Sequence, residues 1–256
     1  MKYLQKLIKS PETLSLLILA IVISFLSYNT SNLVKTLFLL IFISISCEYI
    51  ITKFFKTDTD FNINNISFAL IIFLITNVKL DIFLSIFTVI LTHFLSHIVK
   101  YKNQQVFNNI SLGLFTLSLF GLNTNWWGVN VSIIVLLSVI ILGLVDSYLK
   151  RQLKIIFLFF LFIVSFNLIL TVNPLYSIKQ VFVPGFLFFS FFILTKNVSI
   201  FTQKQKTICV YLILTAFFSV IIPKFGFFTD PLITSAILSD FIIFTKNLLF
   251  TRHLQQ

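Results

Sequence analysis

Long apolar runs separated by short polar breaks constrain the fold of this chain of 256 residues more than any other feature. The chain is 58% hydrophobic and only 11% charged, with a mean hydropathy of +1.02. A soluble domain usually carries about 25% charged residues, and a disordered chain has low hydrophobicity, so both classes are excluded. The pattern predicts a polytopic membrane protein with spans at about 13–27, 33–52, 66–77, 80–99, 108–122, 129–148, 154–172, 183–195, 207–222 and 231–245.

The spans are expected to be α-helices, because each backbone N–H and C=O in hydrocarbon must be satisfied within its own segment. A membrane barrel would instead show strands of alternating hydrophobicity. Ser10 is a suitable cap for the first helix, and Pro11 suits its first position. The first run lacks a small-residue cleavage site, so we expect a retained span. The predicted fold class is an all-α membrane protein of about ten transmembrane helices.

The basic residues test this arrangement, since an even number of spans places both termini on one side. Of the 19 Lys and Arg residues, the ten-span arrangement places four on one side, namely Lys35, Lys79, Lys179 and Lys224, and all the others on the opposite side. The positive-inside rule therefore predicts cytoplasmic termini and a multi-pass protein of the inner (cytoplasmic) membrane. Because the charges fall between apolar runs and form no single patch, the net charge of +11 does not indicate nucleic acid, and the lipid bilayer is the expected partner.

The ten spans divide into two five-helix repeats, predicted at 1–125 and 126–256 within one integral membrane domain. An odd number of helices per repeat inverts the second repeat in the membrane. The third and eighth spans are the shortest and hold the same place in each half, and spans five and ten both open with polar residues. Short helices at matched positions of inverted repeats point to a binding site near the middle of the membrane.

The stretch from Lys100 to Gly128 contains Phe107-Asn108, Leu112-Gly113-Leu114 and Trp126-Trp127-Gly128. It resembles the RnfD/NqrB family, whose members are membrane components of Rnf electron-transport complexes and of the sodium-pumping NADH:quinone reductase. The run from Gly185 to Thr195 is similar to a second stretch of that family. The ten-span inverted plan also resembles the family, so the likeness extends over nearly the whole chain in topology.

The resemblance implies a flavin, FMN or riboflavin, and partner subunits of a redox complex that carry flavin and iron–sulfur centres. In the family, covalent FMN is attached to a Thr within Ser-Gly-Ala-Thr, and that tetrapeptide does not occur in this chain. Flavin is therefore expected to bind non-covalently. The chain has no NAD-binding fingerprint and only two Cys, so it is not expected to catalyse a reaction alone.

Five residues are the predicted cofactor-binding residues. Asn108, Asn109 and Asp230 lie where helices begin, and a helix N-terminus offers free N–H groups and a positive dipole end to a phosphate or carboxylate. Plain helix capping is the alternative. Thr195 and Lys196 end the short eighth span, where they could contact an anionic cofactor. The alternative is a cytoplasmic anchor at a helix C-terminus.

Glu48 and Asp240 lie within apolar runs and form the predicted ion pathway. Intramembrane carboxylates are candidates for proton or sodium passage, with structural pairing as the alternative. His93 and His97 are four residues apart and share one face of the fourth span. We expect interfacial hydrogen bonding there rather than metal or haem ligation, and no metal site is predicted. Cys47 and Cys209 are expected to be buried and to act as small apolar residues.

Two functions follow as expectations. The first is an integral subunit of a flavin-dependent, ion-coupled electron-transport complex. The second is a channel or secondary transporter for a small polar or vitamin-like solute, in which the cavity between inverted repeats works without redox chemistry.

Overall fold

The structure is a computed structural model. It describes residues 10–26, 30–55, 64–76, 82–101, 104–119, 126, 128–130, 132–171, 179, 181–196, 205–225 and 229–253. The described part of the chain contains ten α-helices and one two-stranded antiparallel hairpin. In this pairing, which the sequence did not predict, β1 (Lys100–Tyr101) lies antiparallel to β2 (Gln104–Gln105).

The helices, in chain order, are α1 (Pro11–Leu26), α2 (Thr30–Phe54), α3 (Asn64–Ile75), α4 (Ile82–Ile98), α5 (Asn109–Leu119), α6 (Ile133–Leu149), α7 (Leu153–Thr171), α8 (Pro184–Phe188), α9 (Gln205–Ile221) and α10 (Pro231–His253). A π-helical segment, Phe189–Leu194, continues α8, and a 3₁₀ turn, Ile222–Phe225, continues α9. Each predicted span coincides with one helix, so the all-α prediction is confirmed.

Three of the described helical stretches are long and apolar enough to cross a membrane: Asn32–Phe54, Leu153–Leu170 and Gln205–Phe225. Their hydropathy is compatible with the predicted membrane protein. The other apolar helices in the described part are shorter, at 10–17 residues. That each of the ten helices crosses the bilayer remains a prediction. The last helix runs past the predicted end at 245 to His253, since no proline or glycine interrupts it.

The helices form two compact units. Unit 1 comprises residues 1–98 and 124–151, and unit 2 comprises residues 99–123 and 152–256. Helix α5 therefore belongs to unit 2, and α6 belongs to unit 1. The predicted repeats at 1–125 and 126–256 describe the order of helices along the chain, and they remain a prediction.

In unit 1, α3 is the most deeply buried helix. Its residues from 69 to 75 have no exposed surface. A helix that is apolar on all sides belongs in a protein core or in lipid, and α1, α2 and α4 all pack against α3. The turn before α6 contacts the C-terminal end of α3, where the Gly128 backbone N–H donates to the Leu74 carbonyl at 2.9 Å. A Cβ at Gly128 would lie 3.0 Å from that oxygen, a tighter contact than most Cβ atoms make, so this approach favours glycine.

In unit 2, α9 packs against α7 and α10, and α10 packs against α5. Helix α8 begins with Pro184, whose missing N–H is not needed at that position. From Gly185 to Leu194 the residues of α8 and its π-helical segment are buried. Aromatic rings fill this core, with Phe186 stacked on Phe159 of α7 at a centroid distance of 5.5 Å.

Candidate functional site in the apolar helices

A carboxylate and two imidazoles meet between α2 and α4 of unit 1. The Glu48 Oε2 atom lies 3.0 Å from Nδ1 of His93 and 3.4 Å from Nε2 of His97. The side chains of His93 and His97 are only 1% and 7% exposed, whereas that of Glu48 is 23% exposed. We refer to Glu48, His93 and His97 as the Glu–His cluster. It confirms the expected interfacial hydrogen bonding of the two histidines.

The helical repeat explains how the cluster forms. His93 and His97 are one turn apart and project from the same face of α4, and α2 packs along that helix. Aromatic rings flank both imidazoles: Phe68 of α3 lies 5.7 Å from the His93 ring, and Phe55 stacks on the His97 ring at 5.8 Å. The histidines therefore lie in apolar surroundings, with the carboxylate at their more exposed edge.

Ser44 connects the cluster to a third helix. Its hydroxyl lies 2.7 Å from Nε2 of His93 and donates to the backbone carbonyl of Asn65 at the start of α3, also at 2.7 Å. Both ring nitrogens of His93 thus face oxygen atoms, one from Glu48 and one from Ser44. The sequence singled out Glu48 and the two histidines separately, and only the packing of α2 on α4 shows that they form one group.

Asp240 is the buried carboxylate of unit 2. Asp240 belongs to α10 and is 1% exposed. Its Oδ2 atom accepts a hydrogen bond of 3.3 Å from the backbone N–H of Asn108, at the start of α5. Oδ1 is buried and has no hydrogen-bond partner among the described residues. The structure thus joins a predicted ion-pathway residue to a predicted cofactor residue. An incompletely bonded buried carboxylate is costly, which marks the position as a functional candidate.

The predicted cofactor residues Asn108 and Asp230 cap helices. Oδ1 of Asn108 accepts from the amides of Ile110 and Ser111, and Oδ1 of Asp230 accepts from those of Leu232 and Ile233. The two caps have the same pattern, with acceptance from the second and third residues along. The capping alternative is therefore observed at both sites. Their role in binding a cofactor stays a prediction.

The other predicted cofactor residues also belong to unit 2. The Thr195 hydroxyl donates to the Phe191 carbonyl of its own helix at 2.7 Å, and Lys196 is half-buried beside it. Asn109 is the first residue of α5 and is buried. The π-helical segment that precedes Thr195 is a feature found often at functional sites, and the sequence did not predict it.

Sequence reasoning missed a second charged group in unit 1. Nζ of Lys150 lies 2.8 Å from both Oε2 of Glu12 and Oδ2 of Asp146. Asp146 has no exposed surface, and Glu12 is 8% exposed. These residues, the Lys150 cluster, tie the start of α1 to the end of α6. The Asp146–Lys150 spacing of four within an apolar run was the available signal.

No group of three or more His, Cys, Asp or Glu residues in the described part of the chain is arranged to hold a metal ion. Neither Cys47 nor Cys209 forms a disulfide, and both are partly exposed, so the expected burial is not observed. Of the tryptophan pair before Gly128, Trp126 adopts a left-handed backbone with φ of 48°, and Trp127 lies outside the described residues.

Neither family models, nor curated proteins, nor solved structures include a match to this chain.

Proposed function

We propose that this chain is an integral membrane transport protein that moves a cation across the bilayer, with Glu48 and Asp240 on the ion pathway. The observation that carries the proposal is the Glu–His cluster, a carboxylate bonded to two buried imidazoles inside apolar helices. Ionisable groups are costly in that setting, and they commonly mark proton or ion routes. Asp240, with one carboxylate oxygen left without a partner among the described residues, is a second such group.

The proposed architecture is ten spans in two inverted repeats, with both termini in the cytoplasm and the protein in the inner membrane. Corresponding helices support it. Helix α2 packs on α4 in unit 1 as α7 packs on α9 in unit 2. The caps of α5 and α10 have the same pattern, and the third and eighth helices are both short. Cation sites of such transporters lie where short helices end near the midplane. The cargo coupled to the cation would be a small polar or vitamin-like solute.

A redox role is the second candidate, favoured by the resemblance around Phe107-Asn108 and Trp126-Trp127-Gly128. The chain would then be the membrane component of a flavin-dependent electron-transport complex with flavoprotein and iron–sulfur partners. Its flavin would lie non-covalently near Asn108, Asn109, Thr195, Lys196 and Asp230. Cation transport is supported better, because the side-chain oxygens of Asn108, Thr195 and Asp230 already bond to the backbone of their own helices.

Ion flux through the purified protein in liposomes tests the transport proposal. With an imposed membrane potential, the natural chain should carry protons or sodium ions, each measured with a dye specific for that ion. Asp240→Asn keeps the size of the side chain but cannot bind or release a proton, and we expect flux to fall at least tenfold. Lys246→Met, an exposed position on the same helix, is the matched control and should leave flux unchanged. Absence of any cation flux in the natural chain would contradict the proposal.

An absorption spectrum separates the two candidates. Under the redox proposal, the protein purified in mild detergent should show a visible flavin spectrum, and Asn108→Ala should abolish it. A colourless protein that still carries cations supports transport alone.

A further inference from the structure

The surroundings of His93 determine how many protons the Glu–His cluster holds. The Ser44 hydroxyl has one hydrogen and donates it to the Asn65 carbonyl, so it can only accept from Nε2 of His93. Nε2 therefore carries a proton. On the other side of the ring, Nδ1 faces a carboxylate oxygen at 3.0 Å. An ionised carboxylate only accepts, so Nδ1 then carries a proton, whereas a protonated carboxylate would donate its proton to Nδ1. Either way, one proton lies between Oε2 of Glu48 and Nδ1 of His93.

The hydrogen-bond partners of Glu48 and His93 determine which of the two side chains carries this proton. With the carboxylate ionised, His93 is an imidazolium and Glu48 is its counter-ion. The second imidazole favours the ionised carboxylate, since Nε2 of His97 also points to Oε2 of Glu48 at 3.4 Å. The titratable groups around this proton are Glu48 and Cys47 on α2 and His97 on α4. From α3 come the Asn65 carbonyl and the Phe68 ring, which do not titrate.

Removal of the proton on Nδ1 changes the contact between α2 and α4. The nitrogen would then present a lone pair to the carboxylate, and two acceptors would face each other at hydrogen-bond distance. Because Nε2 is committed to Ser44, the ring cannot turn its remaining N–H toward Glu48 without breaking that bond. A buried acceptor without a donor is costly. Loss of this proton therefore weakens the contact between α2 and α4.

The same geometry disfavours other cations at this position. Hard cations such as sodium or magnesium prefer several oxygen ligands, whereas the shared Glu48 oxygen faces two imidazole nitrogens. Imidazoles suit zinc and copper, but these three side chains are not arranged as a metal-holding group.

We propose that the cation carried by the Glu–His cluster is a proton held between Glu48 and His93, and that its release weakens the contact between α4 and α2. The proton is bound on Nδ1 of His93 and leaves from that atom, so the pair goes from net neutral to a single negative charge. This inference deepens the proposed transport function and depends on it for its physiological role. The protonation state of His93 can nevertheless be measured independently.

Nitrogen-15 NMR of the full chain in lipid, labelled at histidine, tests the site. The sequence has three histidines, so His97→Gln and His253→Gln complete the assignment. Near neutral pH, His93 should show both nitrogens protonated. Glu48→Gln should leave only Nε2 protonated, because the counter-ion is lost. Tyr49→Phe, on the exposed face of α2, should have no effect. A neutral His93 in the natural protein would overturn the inference.

Flux measurements separate failure of this inference from failure of the transport proposal. Proton flux should fall at least tenfold in Glu48→Gln and recover in part in Glu48→Asp, which retains a carboxylate. Sodium flux without proton flux in the natural chain would overturn the proton assignment and leave cation transport standing. Loss of flux on addition of a zinc chelator would identify a metal site instead. Size-exclusion chromatography of each variant verifies that it is folded.

Discussion

At the scale of single residues, the Lys150 cluster shows how unit 1 accommodates two buried carboxylates. One ammonium group lies 2.8 Å from both Glu12 and Asp146, and it is itself only 24% exposed. Charges removed from water are tolerated only when they are paired and hydrogen-bonded. Lys150 thus serves as the shared counter-ion for α1 and α6, at the place where the two helices meet.

Substitution of Lys150 tests this role. Lys150→Met keeps the length of the side chain but removes the charge, so two carboxylates would be left close together in a poorly solvated place. We expect a loss of about 2–3 kcal/mol in stability. The midpoint of thermal unfolding in detergent, followed by circular dichroism, should fall by roughly 6–10 °C.

Lys154→Met is the control for this experiment, because it makes the same change at an exposed lysine near the start of α7. The triple change Glu12→Gln, Asp146→Asn, Lys150→Met should recover part of the lost stability, since it removes all three charges together. An unfolding midpoint that is the same in Lys150→Met as in the natural chain would show that Lys150 does not stabilise unit 1.

At the scale of elements, α5 and α10 begin in the same way. Each has an Asx residue whose Oδ1 accepts from the second and third amides that follow, and α5 packs against α10 within unit 2. The first amides of a helix have no partner within it, so the caps satisfy groups that would otherwise be costly in an apolar setting. Asn108 differs from Asp230 in one respect, because the backbone N–H of Asn108 also donates a hydrogen bond to the carboxylate of Asp240.

Because Asn108 and Asp230 make the same capping bonds, removal of either cap should lower the stability of the protein by a similar amount. Asn108→Ala and Asp230→Ala should each destabilise the protein by about 1 kcal/mol, the usual contribution of an N-cap. Asn108→Ser should recover most of that loss, since serine also caps. Asn108→Asp would keep a cap but add a second carboxylate near Asp240, so it should be less stable than Asn108→Ser. Thermal unfolding of the four variants measures this order, and equal stability of the Asp and Ser variants would contradict it.

At the scale of the whole molecule, the distribution of lysines and arginines makes a prediction about topology. A phosphatase active only outside the cytoplasm, fused after residue 256, should be inactive, because the C-terminus is expected in the cytoplasm. The same enzyme fused after residue 176, in the predicted outer loop between α7 and α8, should be active. Activity at residue 256 would contradict the predicted cytoplasmic location of the C-terminus.

The sequence alone determined the helical class and the approximate limits of ten helices. Hydropathy is local, and a backbone in apolar surroundings has few alternatives to a helix. Local chemistry also indicated that Ser10 and Pro11 begin α1 and that Asn108 and Asp230 lie at helix starts. Such features depend on neighbours a few residues away, which a sequence displays directly.

Only the tertiary structure decided which polar groups meet. Glu48 and His93 are 45 residues apart, and Glu12 and Lys150 are 138 residues apart. Neither pairing follows from periodicity, because a lipid-like interior makes apolar faces nearly interchangeable and leaves helix partners unspecified. The π-helical segment after Phe188 and the glycine contact at Gly128 likewise depend on packing. Periodicity describes one helix at a time, whereas a polar site requires a particular pair of helices in a particular register.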